Sequence, residues 1–332
     1  MAEGKISINL IARDNGSGLT RDTQLLAEIL ERVGFRVYRY PVGHSSLRHK
    51  FRRLATSAEQ FISTRWRACP RYDINLFVED VVPRWFPFAR VNCLLPNQEW
   101  FRDEWKPYLD RFNCILCKTQ LAREIFSPFA PTEFISFSSL DRQSIGVSPN
   151  YDRCFHLASA SPRLGTKVLL ELWRSRPDFP TLTVVRHAPP SPEMLANNID
   201  YIDRFLPDDT LITYQNTNGV HVYPTQMEGF GHRLVEAMSC QAVTVTTDAP
   251  PMNEVVTSER GVLVQYATTQ PHGWGIRYNV TKSALESAIE MVWGSDLATR
   301  RQLGERARQW YEENDRFFRR RIVEVLLAQA SA

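Results

Sequence analysis

Residues 219–254 run Gly-Val-His-Val-Tyr-Pro-Thr-Gln-Met-Glu-Gly-Phe-Gly-His-Arg-Leu-Val-Glu-Ala-Met-Ser-Cys-Gln-Ala-Val-Thr-Val-Thr-Thr-Asp-Ala-Pro-Pro-Met-Asn-Glu. The pattern predicts a short buried strand at 220–223, a glycine-bearing loop at 228–231 and a helix at 232–240. A second strand at 242–247 and a proline-marked turn follow. A strand, loop, helix, strand order is one unit of a parallel sheet. Such a unit puts its loop at the carboxyl edge, where open α/β sheets bind ligands, and the first helical turn offers unpaired N–H groups to an anion.

Two carboxylates mark this loop, Glu228 ahead of the glycines and Glu236 within the helix. Gly229 and Gly231 have no Cβ to keep a ligand from the backbone. Glu228 can accept hydrogen bonds from sugar hydroxyls while the amides of 229–231 meet negative oxygens, and Glu236 can receive the two hydroxyls of a ribose. A sugar joined through a diphosphate to a nucleoside suits that arrangement.

Glu228, Gly229, Phe230, Gly231, Glu236, Ala237 and Met238, followed by Asp248, Ala249, Pro250, Pro251, Asn253 and Glu254, resemble the Glu-x7-Glu signature of the retaining GT-B glycosyltransferases of family 4. That family includes many bacterial surface-polysaccharide enzymes. The resemblance implies an α/β fold of two Rossmann-like domains facing each other across a cleft. It also implies a retaining transfer from a nucleotide diphosphate sugar to a hydroxyl acceptor, the departing phosphate helping to deprotonate the acceptor. Phe230 falls within the donor-binding loop of that signature.

Length and composition fit this reading. A chain of 332 residues suits two domains of roughly 150 residues each, and 43% hydrophobic with 23% charged residues describes a globular protein. A net charge of +3 is too small to argue for nucleic acid. The six cysteines, at 69, 93, 114, 117, 154 and 240, read as buried reduced thiols. Cys114 and Cys117 sit in a predicted strand that points them to opposite faces, so a metal site is not expected. The apolar run 5–12 is too short for a signal peptide or a membrane span; it reads as the first strand, and a cytoplasmic protein is expected.

The expected layout is an acceptor-side domain at 1–145, a nucleotide-sugar domain at 153–310, and a terminal helix at 311–332 crossing back to the first domain. After the first strand, Gly16 and Gly18 resemble the family's donor-phosphate loop or make a tight turn. A helix bearing Leu25, Leu26, Ile29, Leu30 and Val33 follows, ended by Gly34, and then a strand at 36–40. Residues 44–71 carry the basic side chains Arg48, His49, Lys50, Arg52, Arg53, Arg65, Arg67 and Arg71. They form either a basic amphipathic face for peripheral contact with the inner membrane surface and a lipid-linked acceptor, or a solvated helix face. Strands at 73–78, 90–95, 114–117 and 135–139 complete the first sheet. Asn97 and Glu99 follow one of them, where many resembling enzymes place a histidine; they are read as catalytic contacts to sugar and acceptor or as loop supports.

The linker is placed at 140–152. In the second domain a strand at 154–158 leads to a loop and a helix at 166–175. The family supplies an arginine and a lysine here, the lysine just before a glycine. This chain has Leu164 before Gly165, so Arg163 and Lys167 are the candidates for the donor diphosphate, Arg163 preferred for its bidentate guanidinium. A strand at 181–186, a helix at 193–198, a strand near 210–214 and long helices over 282–329 complete the reading. No Asp-x-Asp occurs, so no metal and no cofactor beyond the nucleotide sugar is expected. The alternatives are a catalytically silent sugar-nucleotide binder or assembly partner, an inverting transferase, and a sugar phosphorylase.

Overall fold

Parallel strands covered on both faces are apolar at nearly every position rather than at alternate ones, and this chain folds accordingly. The computed structural model describes residues 5–13, 18–42, 70–158 and 162–332. Two units are distinguished by their internal contacts: Met1–Ser136 with Phe317–Ala332, and Phe137–Arg316. The boundary between Ser136 and Phe137 lies just ahead of the expected linker at 140–152.

The described part of the first unit contains β1 (Ser7–Arg13), α1 (Gly18–Arg32), β2 (Arg36–Val42), β3 (Tyr72–Val78), β4 (Ala89–Leu95), β5 (Cys114–Cys117), α2 (Gln120–Phe126) and β6 (Thr132–Phe134). Its strands form one parallel sheet in the order β2-β1-β3-β4-β5-β6. Leu25, Leu26, Ile29 and Leu30 are buried as the helical spacing predicts, but Val33 is 55% exposed. The reason is the cap: Phe35 N–H donates to Leu30 O and Gly34 N–H to Glu31 O, with Gly34 at φ 95°. That Schellman closure leaves Val33 outside the helix on its solvent side.

Three buried asparagines cross this sheet. Asn9 Nδ2 donates to Asn75 Oδ1 at 2.9 Å, and Asn75 Nδ2 donates to Asn92 Oδ1 at 2.8 Å and to Trp85 O. Buried amides keep their place only when paired in this way. The strand expected at 135–139 is absent. Ile135 makes a last bond to Cys117 O, and Ser136, at φ 58°, turns the chain off the ladder one strand residue after β6.

The second unit contains β7 (Asn150–Leu157), α3 (Thr166–Ser175), β8 (Leu182–Val185), β9 (Ile199–Ile202), α4 (Asp208–Thr217), β10 (Asn218–Tyr223), α5 (His232–Ser239), β11 (Val243–Thr247), α6 (Met252–Val255) and β12 (Gly261–Val264). The hairpin β13 (Tyr266–His272) and β14 (Gly275–Val280) and helix α7 (Lys282–Gly294) follow, and α8 (Leu297–Ser331) runs from this unit into the first. The sheet order is β12-β11-β10-β7-β8-β9, again all parallel. Trp173, fully buried, joins Leu169, Leu172, Leu285 and Ile289 in the core between sheet, α3 and α7.

Two expectations fail in this unit. Residues 208–217 are helix α4, not a strand near 210–214. Thr210, Ile212 and Thr213 suggest a strand by their branching, but Asp208 and Asp209 in the first turn match the helix dipole, and tertiary packing overrides propensity. The helix expected at 193–198 is only a 3-10 turn, Pro192–Met194, followed by β9. The hairpin β13–β14 and the strand β12 were not anticipated. All five described cysteines are buried, and burial pushes the thiols of Cys114 and Cys117 up to about 12. Cys69 and the basic stretch 44–69 lie outside the described residues.

Candidate active site at the carboxyl edge of the second sheet

Strands β7 and β10 are neighbours, so the loops that leave them run side by side. Gln226 N–H donates to Arg163 O at 2.7 Å, and Thr247 Oγ1 donates to Thr225 O at 2.6 Å. Gly165 sits where the loops touch. It has φ 69°, and a Cβ there would lie 2.3 Å from Pro224 O, so only glycine fits. His156 in β7 fixes the same junction from below. Its Nδ1 lies 2.6 Å from Val222 O, which can only accept, so Nδ1 carries the proton and Nε2 accepts from Thr166 Oγ1 at 2.8 Å. Burial lowers its pKa to about 4.

On this platform stands Glu228. It is half-buried and accepts from Thr225 Oγ1 at 3.0 Å. Burial raises its pKa, and Arg233, Thr225, His232 and Arg163 partly oppose the rise. The carboxylate therefore lies in a positive field supplied by two arginines and a histidine. Gly231 caps α5 in a left-handed conformation, φ 100°, where a Cβ would press on Leu234 Cδ1 at 3.0 Å. Gly229 is buried beside it. Phe230 is buried and packs edge-on against Phe137 and His232, both at 5.7 to 5.8 Å between centroids with each other or with Phe230. Its ring anchors the loop in the core, and only its backbone faces the question of donor contact.

Glu236, 6% exposed, ends a buried relay. Gln215 Nε2 donates to Glu236 Oε2 at 3.3 Å, Arg142 Nε donates to Gln215 Oε1 at 2.9 Å, and the Arg142 fork holds Asp208 at 2.9 and 2.8 Å. Arg142 is 2% exposed. The relay fixes the Glu236 carboxylate rather than leaving it to solvent.

Arg163 lies on the 3-10 turn Pro162–Leu164 and acts on Glu228. Lys167 points away into solvent, 77% exposed and 3.9 Å from Glu171. Sequence reasoning missed Arg233 and Arg142; the His232-Arg233 pair directly after Gly231 was a visible signal for the first, while the second carried none. Arg233 Nε, like Arg186 Nε and Arg277 Nε, is buried without a hydrogen-bond partner among the described residues.

In the first unit, Asn97 precedes the 3-10 turn Gln98–Trp100 and donates through Nδ2 to Glu79 Oε1. Glu99 is buried on that turn. Arg13 grips Asp80 with two bonds of 3.1 and 2.9 Å. Gly18 opens α1, and Gly16 lies outside the described residues. Among the described residues no group of three or more His, Cys, Asp or Glu side chains is placed to hold a metal ion, and no helix is long and apolar enough to cross a membrane.

With this geometry in place, residues 192–310 match the family model "Glycosyl transferases group 1". The matched stretch lies in the second unit and is similar to the group 1 glycosyltransferases. The whole chain has the GT-B glycosyltransferase fold. It is similar to a glycosyltransferase from Rickettsia africae ESF-5, at 13% identity and TM-score 0.73, covering 98% of this chain and 99% of that one. It is also similar to sucrose-phosphate synthase from Thermosynechococcus elongatus, at 15% identity and TM-score 0.68, with the same coverage. Anabaena HepE, solved in complex with UDP and glucose, matches at 14% identity and TM-score 0.66 over 97% of this chain and all of that one. No curated protein matches by sequence. The matched stretch includes α4, β10, α5 and β11, and so contains Glu228, Arg233 and Glu236 but not Arg163.

Proposed function

We propose that this chain transfers a glycosyl unit from a nucleotide diphosphate sugar to a hydroxyl acceptor, with retention and without a divalent metal. The observation that carries the reading is Glu228, half-buried in the glycine loop of the matched stretch and surrounded by Arg163, His232 and Arg233. A departing diphosphate needs positive charge that is already in place. Arg163, Arg233 and the amides at the start of α5 supply it, and Leu164 makes Arg233 the replacement for the lysine of the resembling family.

In this mechanism Glu228 accepts hydrogen bonds from the sugar hydroxyls and Glu236, fixed by Gln215, accepts those of the ribose. The acceptor oxygen bonds to the anomeric carbon on the face from which the diphosphate leaves, and the acceptor proton passes to a phosphate oxygen. UDP bound to Anabaena HepE supports a nucleoside diphosphate as the donor class. The acceptor is assigned to saccharides or lipid-linked saccharides of surface glycoconjugates, with Asn97 and Glu99 as its candidate contacts in the first unit, and the basic composition of 44–71 suits an anionic membrane surface.

Calorimetry with UDP, GDP and their sugars tests the reading. Glu236→Ala is expected to weaken binding of the recognised nucleotide by about 2–3 kcal/mol, the worth of two buried hydrogen bonds. Unchanged affinity overturns the assignment. Leu164, 4% exposed and apolar where the family has a cation, favours a second reading, a sugar-nucleotide binder without turnover. Nucleotide binding with no donor hydrolysis and no transfer over long incubation selects it.

A further inference from the structure

At the carboxyl edge of the second sheet, on the α3 side of the Gly165–Gln226 junction, lies a pocket of about 570 Å³ walled by α3, Arg186, Met194, Gln226 and β14. We infer that it is a binding site for a glycosyl unit carrying a phosphate or a carboxylate. The inference does not rest on the transfer reading.

Topology puts the helix that walls this pocket and the helix that carries Glu236 on opposite faces of the sheet. The chain moves outward from β7 through α3 to β8, and back in the opposite direction from β9 through α4 to β10 and through α5 to β11. Right-handed crossovers running in opposite directions put their helices on opposite faces. α3 therefore lies on one face with α7, which it meets in the core, and the Glu236 helix lies on the other. Gln226 is the common wall, two residues ahead of Glu228.

Three charged side chains line the pocket: Lys167, Glu171 and Arg186. The Lys167 ammonium is solvent-facing and reaches Glu171 only at 3.9 Å. Arg186 Nε is buried with no hydrogen-bond partner among the described residues, and no carboxylate among them forms an ion pair with this guanidinium. A buried N–H of a charged group left unpaired is costly, and an anion entering beside it supplies the missing acceptor. The net positive lining selects that anion.

The remaining wall is suited to a sugar ring. Gln226 Nε2 donates to Asn279 Oδ1 at 3.1 Å, so the two amides are held in one orientation for hydroxyl contacts. Leu170 and Met194 give an apolar surface for the C–H face of a pyranose. The volume lies within the roughly 300–1,000 Å³ of small-molecule pockets. The hairpin closes the site: Tyr278 N–H donates to Gln226 O at 2.8 Å, which seats β14 against the loop.

The test uses the full chain with methionine methyl groups labelled with carbon-13. The sequence holds six methionines, and Met194→Leu assigns the reporter inside the pocket. Glucose 6-phosphate, glucuronate and glucose are titrated separately, and UDP is added at the end. The expected result is a saturable shift of the Met194 methyl with glucose 6-phosphate or glucuronate, the stronger of the two naming the anion, and little with glucose. Arg186→Gln should weaken that binding roughly tenfold, the loss of one charge-assisted hydrogen bond. UDP should leave the shift in place.

No saturable shift with either anionic sugar overturns the proposal, as does an equal response to glucose. Binding that survives both Arg186→Gln and Met194→Trp, the second filling the cavity, also overturns it. Loss of UDP binding in Glu236→Ala is a separate readout, so failure of this site and failure of the transfer reading are told apart.

Discussion

The two sheets have the same strand count and the same parallel build, yet their carboxyl edges differ in how they hold their cations. At the first edge Arg13 is ion-paired with Asp80 and Asn97 donates to Glu79, and the Asn97 atom left buried without a partner among the described residues is an acceptor, Oδ1. At the second, Arg186, Arg233 and Arg277 each keep a buried nitrogen without a partner among the described residues, and Glu228 is held in the field of cations. An arginine already paired with a carboxylate holds loops together, whereas buried guanidinium nitrogens without a partner are preorganised for an anion.

Acid should separate the two units first and most strongly. His156 and His221, both in the second sheet, are buried with pKa values lowered by burial to about 4. Their folded forms resist protonation. The stability they contribute is complete above an unfolded pKa of about 6.5 and is lost as pH falls toward 4, by roughly 3 kcal/mol each. Glu228 acts with the opposite sign, since its raised pKa favours the folded state as it protonates. In the first sheet, burial pushes Asp73 up but hydrogen bonds from Ser7 outweigh it and leave a net lowering. Its contribution is lost only below about 3.8. Hydrogen exchange followed from pH 7 to pH 4 should therefore show β7 and β10 losing protection before β1 and β3; the reverse order removes this contrast.

Replacing a cation at each edge sharpens the comparison further. Arg233→Met should lower turnover by roughly 10²–10³-fold, as loss of an oxyanion-stabilising donor does. Arg13→Met, half-exposed in its pair, should cost about 0.5 kcal/mol of stability and leave turnover within a few fold. Equal losses would erase the distinction between the edges. Next in size, Gly165→Ala places a methyl against Pro224 O and strains a left-handed backbone, for about 2–3 kcal/mol of lost stability read by urea unfolding. Close to it in size is Asn75→Ala. It leaves the Asn9 amide unpaired at the centre of the first sheet and should cost about 2 kcal/mol or less with nucleotide binding unchanged.

The stretch around Glu228 was legible because its information is local. An apolar strand, two glycines and an amphipathic helix lie within one contiguous run, and the structure places them as β10, the capped loop and α5. The same reasoning failed at 208–217, where β-branched residues pointed to a strand and acidic first-turn residues with tertiary packing made a helix. It also placed the final first-sheet strand three residues late, because the left-handed turn at Ser136 leaves no trace in residue type.

By itself the sequence determined that this is an α/β chain of parallel sheets and that the Glu228–Glu236 loop stands at a carboxyl edge, since strand burial and glycine geometry are written in neighbouring residues. Only the tertiary structure decided which charges meet. Arg142 lies 73 residues before the glutamine it orders, Arg186 and Arg233 are joined to their surroundings by neighbouring strands rather than by spacing, and the hairpin reaches Gln226 from 52 residues on. Electrostatic partners act through space, and their distances exist only once the crossovers are made.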